Sequence, residues 1–244
     1  MAVHSVRLGV DIGGTFTDVV LEKDGVPFSI KVLTTYSAPE NAIIDGMYQV
    51  CAKAGVTPAQ IDQIIHGTTL ATNALIERRG AKTALITTEG FRDVIEMRTE
   101  SRFEQYDLNL NLPDPLLPRQ MRFTVAGRVD ANGKILVDMD RAEVEAIVDQ
   151  IAEGGFESVA VGLIHSYLNP THEQLVRDVL AEKLPNVAVS ISSEVSPQMR
   201  EYERFNTVVA NAYIKPLMAS HLGRLGDRLN DEGVSCRIFL MHSG

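Results

Sequence analysis

Two hydrophobic periods divide the chain. Leu8, Val10 and Ile12 recur at every second position, and Thr17, Val19, Val20 and Leu21 resume a similar run after a glycine pair. Period-two runs predict strands. Arg7 to Asp11, Thr17 to Leu21 and Phe28 to Leu33 are expected to form an antiparallel meander, the last two joined through Asp24-Gly25, a two-residue hairpin signal. The period then lengthens. Ile43, Ile44, Met47, Val50, Cys51 and Ala54 share a helical face, with Ser37-Ala38-Pro39-Glu40 read as a capping box and Gly55 as the stop. Thr57-Pro58-Ala59-Gln60 caps a shorter turn of helix. A strand from Gln63 to His66, a helix from Leu70 to Arg79 stopped at Gly80 and a strand from Lys82 to Thr87 complete a β-α-β alternation, which predicts parallel pairing.

The pattern thins past Gly90. Residues 101–120 carry three prolines in an extended stretch too long for an ordinary connection, which marks a binding loop or a partner contact. Met121 to Val129 and Lys134 to Val137 then flank Asn132-Gly133, a second hairpin signal. Asp140 and Glu143 suggest a capped helix with Val144, Ile147, Val148 and Ile151 inward, ending at Gly154-Gly155. Ser158 to Ile164 reads as a buried strand. Asn169-Pro170 opens a helix that faces Leu175, Val176, Val179, Leu180 and Leu184 inward, and Val187 to Ile191 is the next strand. Ser196-Pro197 opens a long helical region that Pro216 should break or kink. Arg237 to Met241 is a final strand. The fold class is α/β, and the expected division is 1–97 as a first α/β region, 98–120 as an irregular Pro-rich loop and 121–244 as a second α/β region.

Composition narrows the function. The chain has 244 residues, 45% apolar and 23% charged, a globular balance that argues against disorder. A formal net charge of -9 with no basic cluster beyond Arg78-Arg79 argues against nucleic acid as a partner. No apolar run reaches a membrane span, so no membrane partner is expected. Cys51 and Cys236 lie far apart, which fits a reducing, cytoplasmic setting and disfavours a zinc site.

Chemistry concentrates at the first hairpin. In Asp11-Ile12-Gly13-Gly14-Thr15-Phe16-Thr17-Asp18, consecutive glycines let a ligand approach backbone amides, and Thr15 and Thr17 add hydroxyls. Asp11 could hold a hydrated Mg²⁺, an ion content with one or two carboxylates plus waters and phosphate oxygens. Spacing alone leaves a phosphate grip and an ordinary tight hairpin equally open. A second polar run follows Ile64-Ile65: His66, Thr68, Thr69 and Asn73 offer neutral hydrogen-bonding groups at a strand end and helix start, where an anion or carbonyl can be held. The alternative is a self-satisfied strand-helix turn. Glu89, Arg92 and Asp93 read as a helix cap with surface pairs, His165 with Tyr167 as the end of a buried strand, and Arg200, Glu201, Glu203 and Arg204 as a solvated helix face.

Taken together, Asp11 to Asp18, His66 to Leu75, Thr88 to Asp93, His165 to Pro170, and Ser193 to Pro197 leading to Glu201-Tyr202-Glu203-Arg204 resemble the hydantoinase/oxoprolinase family. That family includes N-methylhydantoinase A subunits, 5-oxoprolinase and the beta subunits of acetone and acetophenone carboxylases. The resemblance implies a ribonuclease-H-like lobe of the actin, hexokinase and Hsp70 ATPase type, with ATP and Mg²⁺ as cofactors. It implies Asp11 as the metal-positioning catalytic residue and His66 as a second catalytic residue. Gly13, Gly14, Thr15 and Thr17 would contact phosphate, and Thr68, Thr69 and Asn73 would contact substrate. The activity implied is ATP-dependent phosphorylation of a cyclic amide or ketone for hydrolysis or carboxylation, working with a second enzyme subunit in a hetero-oligomer, with a homo-oligomer also open. A small-molecule kinase and a nucleotide-switched binding module are the alternatives. Phe239 to Gly244 resembles the start of a second phosphate loop, so the chain is expected to be a fragment, inactive alone.

Overall fold

The computed structural model describes residues 5–35, 38–99, 104, 106–110 and 112–241. The first half contains β1 Val6–Ile12, β2 Phe16–Lys23, β3 Val26–Leu33, α1 Pro39–Ala54, β4 Gln63–Thr68, α2 Leu70–Ile76, β5 Thr83–Thr88 and α3 Val94–Met97. After it come β6 Arg122–Val125, β7 Arg128–Val129, β8 Ile135–Val137, α4 Arg141–Glu153, β9 Ser158–Gly162, α5 Thr171–Lys183, β10 Ala188–Ile191, α6 Ser192–Val195, α7 Glu201–Asp231 and β11 Arg237–Leu240. The chain divides into two compact units, 1–77 with 217–244, and 78–216. The expected boundaries at 97 and 120 do not coincide with these units. The return of 217–244 to the first unit depends on β11 pairing with β4, a long-range contact with no local signal.

The first unit is a five-stranded sheet in the order β11-β4-β1-β2-β3. The meander forms as expected: β1, β2 and β3 pair antiparallel, and Asp24 and Gly25 both take positive φ at the turn, as a hairpin of this type requires. β4 runs parallel to β1, and β11 parallel to β4. Alternation sends Leu8, Val10, Ile12, Val19 and Leu21 to one face, where they pack with Ile43, Met47 and Val50 of α1 and with Leu225 and Leu229 of α7. Gly46 sets the spacing of α1 on the sheet, because a Cβ there would stand 2.6 Å from Val19 Cγ2. Ser37, half of the expected capping box, lies outside the described residues, and Glu40 turns to Arg224 and His221. The opposite face of the sheet carries Gly9, Asp11, Asp18 and Val20.

The second unit is built on an all-parallel sheet, β10-β9-β5-β6. Every residue of β5 and β9 is buried, as in parallel sheets covered on both faces. Ala84, Ile86, Val159 and Val161 meet Val144, Ile147 and Val148 of α4 and Val176, Val179 and Leu180 of α5. The expected single strand from Met121 to Val129 is two strands. β6 joins the parallel sheet, the chain passes close to Met139 and His172 at Gly127, and only β7 pairs with β8. Asp140 caps α4 by accepting the Ala142 N–H, whereas Glu143 takes the Ala126 N–H instead of closing a capping box.

Two further expectations are corrected. α2 ends at Ile76 rather than Arg79, and Arg78 takes φ +58. Of the break or kink expected at Pro216, the break does not occur, and α7 continues to Asp231. Proline costs a helix interior about 3 kcal/mol, and buried residues anchor α7 on both sides of it: Phe205, Val208, Val209 and Ala212 before, Leu225 and Leu229 after. The Pro-rich segment is held by guanidinium groups. Arg98 donates to the Pro113 carbonyl, Arg78 to those of Asp114 and Pro115, Arg122 to that of Leu117 and Arg92 to that of Arg119.

Candidate functional site

Asp11 sits near the carboxyl end of β1 on the open face of the first sheet. It lies opposite Asp18 across the antiparallel pair and beside Gly67 across the parallel pair. These residues, with Gly9, Val20 and Met241, help line a cavity of about 270 Å³. A Cβ at Gly67 would come within 3.2 Å of Asp11 Oδ1, so the glycine keeps room beside the carboxylate. Asp18 is paired with Lys31 at 2.9 Å. Among the described residues no group of three or more His, Cys, Asp or Glu could hold a metal. Mg²⁺ is content with one or two carboxylates and takes its other ligands from water and phosphate. Asp11 offers one carboxylate of that kind, whereas Asp18 is already engaged with Lys31.

The hairpin tip supplies amides, though not all of those expected. Gly13 N–H donates to the Phe16 carbonyl at 3.0 Å and is already committed. The Thr34 hydroxyl donates to Gly13 O, and Thr34 N–H to Thr15 O, which fixes the tip from behind. Among the described residues the N–H groups of Gly14 and Thr15 have no partner, and the Thr15 side chain is exposed. Gly14 and Thr15 can thus face an anion. Thr17 cannot: its side chain is fully buried on the opposite face and shares a hydrogen bond with the Thr34 hydroxyl. The period-two alternation that places Asp18 outward places Thr17 inward.

His66 is corrected for the same reason. Gly67 faces Asp11, so its neighbour His66 faces the core, where it is 1% exposed. Its Nε2 lies 3.2 Å from Nε2 of His221, which is equally buried. His221 Nδ1 lies 3.7 Å from Glu40 Oε2, and Arg224 Nε donates to Glu40 Oε1 at 2.7 Å. Burial, and then the neighbouring His221, press the His66 pKa down to about 4 against a smaller upward pull from the Val10 backbone. Burial also lowers His221, against the charge of Glu40. Burial works to raise Glu40, but hydrogen bonds from Arg224 and its own backbone, with the charges of Arg224 and His221, hold it below its ordinary value. Sequence reading missed His221 and Glu40. The available signal was His221 standing in line with Leu217, Leu225 and Leu229 at four-residue spacing on α7.

Thr68, Thr69 and Asn73 build their own turn. The Thr68 hydroxyl accepts the Leu70 N–H, the Thr69 hydroxyl and N–H both donate to Ile12 O, and the Asn73 amide reaches Thr69 Oγ1 at 3.4 Å. They tie α2 to the end of β1 and so brace the hairpin from beneath. In the second unit, Arg204 is no solvated residue. It is 1% exposed and donates to Leu163 O, Gln198 O and Ser192 Oγ. Ser192 in turn donates to the fully buried Glu173, which also accepts from the N–H groups of Leu163 and Ser193.

A model of the hydantoinase/oxoprolinase N-terminal region matches residues 7–184. Caprolactamase subunit alpha of Pseudomonas jessenii is 36% identical over 242 residues, covering 95% of this chain and 34% of that protein. The crystal structure of ATP-dependent caprolactamase from that organism superposes with a TM-score of 0.87 at 35% identity, over 96% of this chain and 35% of the other. A nucleotide-free structure of acetone carboxylase superposes with a TM-score of 0.84 at 25% identity, over 97% of this chain and 36% of the other. The chain thus spans about a third of the length of the relatives it matches. On the match to its N-terminal region, the chain belongs to the hydantoinase/oxoprolinase family.

Proposed function

We propose that this region forms the phosphate-gripping part of an ATP-dependent enzyme subunit that activates a cyclic amide or ketone by phosphorylating its carbonyl oxygen. The observation that carries the reading is the juxtaposition at one sheet end of Asp11, facing Asp18 and the opening at Gly67, with the unpartnered N–H groups of Gly14 and Thr15. Sheet order supports a ribonuclease-H-like ATPase lobe: three meander strands, then β4 and β11 added in parallel on the other side of β1. The relatives' names give the substrate classes, a lactam and a ketone, and both reactions are ATP-dependent in those proteins.

The chemistry follows from the electrophile. An unstrained amide resists attack by water because its carbonyl carbon is electron-rich and its nitrogen leaves poorly. Transfer of the γ-phosphoryl group of ATP to the carbonyl oxygen releases ADP and makes the carbon open to a nucleophile. Asp11 would hold Mg²⁺, which when bound offsets phosphate charge during transfer. Gly14 and Thr15 amides would bind phosphate oxygens, and the Thr34 contacts keep those amides in place without rearrangement. Catalysis in a subunit carrying this region, and its partnership with a second subunit, are part of the proposal.

The test is a nitrogen-15 NMR titration with Mg-ATP. Shifts centred on Gly14, Thr15 and Gly67 are expected, and Asp11→Asn should remove most of them while leaving the rest of the spectrum unchanged. Perturbations elsewhere, or an Asp11→Asn titration identical to wild type, would overturn the assignment.

A further inference from the structure

The second unit holds a cavity of about 400 Å³ that the proposed phosphoryl chemistry does not use. Phe91 and Val94 line one side, Arg98 and Thr99 follow α3, and Arg200 to Glu203 close it at the start of α7. A volume in this range suits a small organic ligand. A second cavity of about 320 Å³ shares Arg98 and Tyr202 with the first and is lined by Ile95, Pro113, Pro115 and Leu116. The first compartment is lined mainly by charged side chains, the second by Ile95, Pro113, Pro115 and Leu116 with Asp114 and Asn206 among them, and Arg98 and Tyr202 border both.

The ionic compartment contains both signs. Arg98 donates through Nη2 to the Pro113 carbonyl, and among the described residues its Nε and Nη1 have no partner. Arg200 is 75% exposed and among the described residues has one ionic contact, to Glu203 at 3.9 Å, the outer limit of an ion pair. Oε1 of Glu201 is buried without a hydrogen bond and lies 3.7 Å from Arg204. Arg98 and Arg200 bring positive charge to this compartment and Glu201 and Glu203 negative charge, held, among the described residues, only by contacts of 3.7–3.9 Å to Arg204 and Arg200. A ligand carrying both signs meets both sets. Phe91 adds an aromatic wall whose ring also packs against Arg128, 4.7 Å from its centroid. The backbone is strained on both sides of the opening. Arg98 takes φ +60 and ψ -147, a region close to glycine-only, and Arg200 takes φ +83. Such conformations persist where the surrounding structure enforces them and gather at ligand sites.

We propose that these adjoining cavities bind a zwitterionic α-amino acid with an apolar side chain. Its carboxylate lies toward Arg98 and Arg200, its ammonium toward Glu201 and Glu203, and its side chain toward Ile95, Pro113 and Pro115. These cavities share no residue with the Asp11 site and stand apart from the function proposed for it.

Calorimetry on the protein without nucleotide tests this, using L-leucine, L-methionine and L-phenylalanine as probes. Glycine, 4-methylpentanoate and 3-methylbutylamine serve as controls lacking the side chain, the ammonium and the carboxylate. At least one probe should bind at least tenfold more tightly than all three controls. Arg200→Ala, which removes an exposed side chain and should not unfold the protein, and Glu201→Gln should each weaken it at least tenfold with unchanged circular dichroism. Asp11→Asn should leave it unchanged, which separates this site from the nucleotide reading. No binding by any probe up to ~10 mM, equal binding of a singly charged control, or unchanged affinity in both cavity variants would overturn the proposal.

Discussion

The paired imidazoles of His66 and His221 should make the first unit acid-sensitive well above the pH at which its carboxylates titrate. Their Nε2 atoms lie 3.2 Å apart, so one must donate and the other accept. If His221 turns an Nδ1 proton toward Glu40, its Nε2 accepts from His66, and a further proton on either ring places a charge where water does not reach. The His66 pKa falls from 6.5 to about 4 on folding. Between those values the unfolded chain holds the proton and the folded chain does not. Stability is therefore complete above pH 6.5 and is lost as pH falls toward 4. At roughly 1.4 kcal/mol per pH unit of separation, the loss from His66 is about 2 kcal/mol by pH 5 and about 3 by pH 4. His221 is lowered as well and acts in the same direction.

Urea unfolding at pH 7.5 and pH 5, followed by far-ultraviolet circular dichroism, reads this directly. His66→Gln keeps a hydrogen-bonding side chain that cannot charge. Whatever that change costs at both pH values cancels when the two are subtracted. His172, in the second unit, is also lowered by burial, but it is present in both proteins and drops out in the same way. Wild type should lose about 2 kcal/mol more than His66→Gln between the two pH values. Equal losses would refute the reasoning, and so would a wild type whose stability is flat over this interval.

Two substitutions probe other parts of the structure. Gly67→Ala should leave the urea midpoint nearly unchanged but weaken the Mg-ATP response at Gly14 and Thr15 at least threefold, since its methyl group would stand 3.2 Å from Asp11 Oδ1; an unaltered titration would show that the space beside Asp11 is not used. Arg204→Ala should cost about 3–5 kcal/mol, the usual penalty for removing one member of a buried charged network, because Glu173 remains fully buried. A loss below about 1 kcal/mol by urea titration would mean that water replaces the guanidinium.

Much of the architecture was readable because local rules set it. Asp24-Gly25 forms its hairpin, Gly55 ends α1 in the left-handed conformation, and the buried faces of α1 and α4 are those that helical spacing predicts. Long-range pairing was not readable. Nothing near residue 237 reports that β11 will lie beside β4, so the return of the C-terminal segment to the first unit went unseen. The site shows the same division. Strand alternation places Asp11 on the open face, and applied one residue further it would have placed Thr17 and His66 in the core. The density of polar residues after Ile65 obscured that alternation. Arg204 was misread because an arginine on a helix is ordinarily solvated. Its partners Ser192, Leu163 and Gln198 come from separate segments that only folding brings together.

The arginines along the Pro-rich segment bind main-chain carbonyls, at Pro113, Asp114, Pro115, Leu117 and Arg119. A carbonyl is the same group whatever side chain its residue bears. The path of this segment is thus written at positions 78, 92, 98 and 122, while the residues that follow the path can change with little effect on its course. Tolerance should also run in one direction only. Substitutions on the segment surface should be absorbed, whereas exchanging a clamping arginine for lysine keeps the charge but replaces a planar fork with a single ammonium. At Arg78, whose two terminal nitrogens hold two successive carbonyls, that exchange would release one of them.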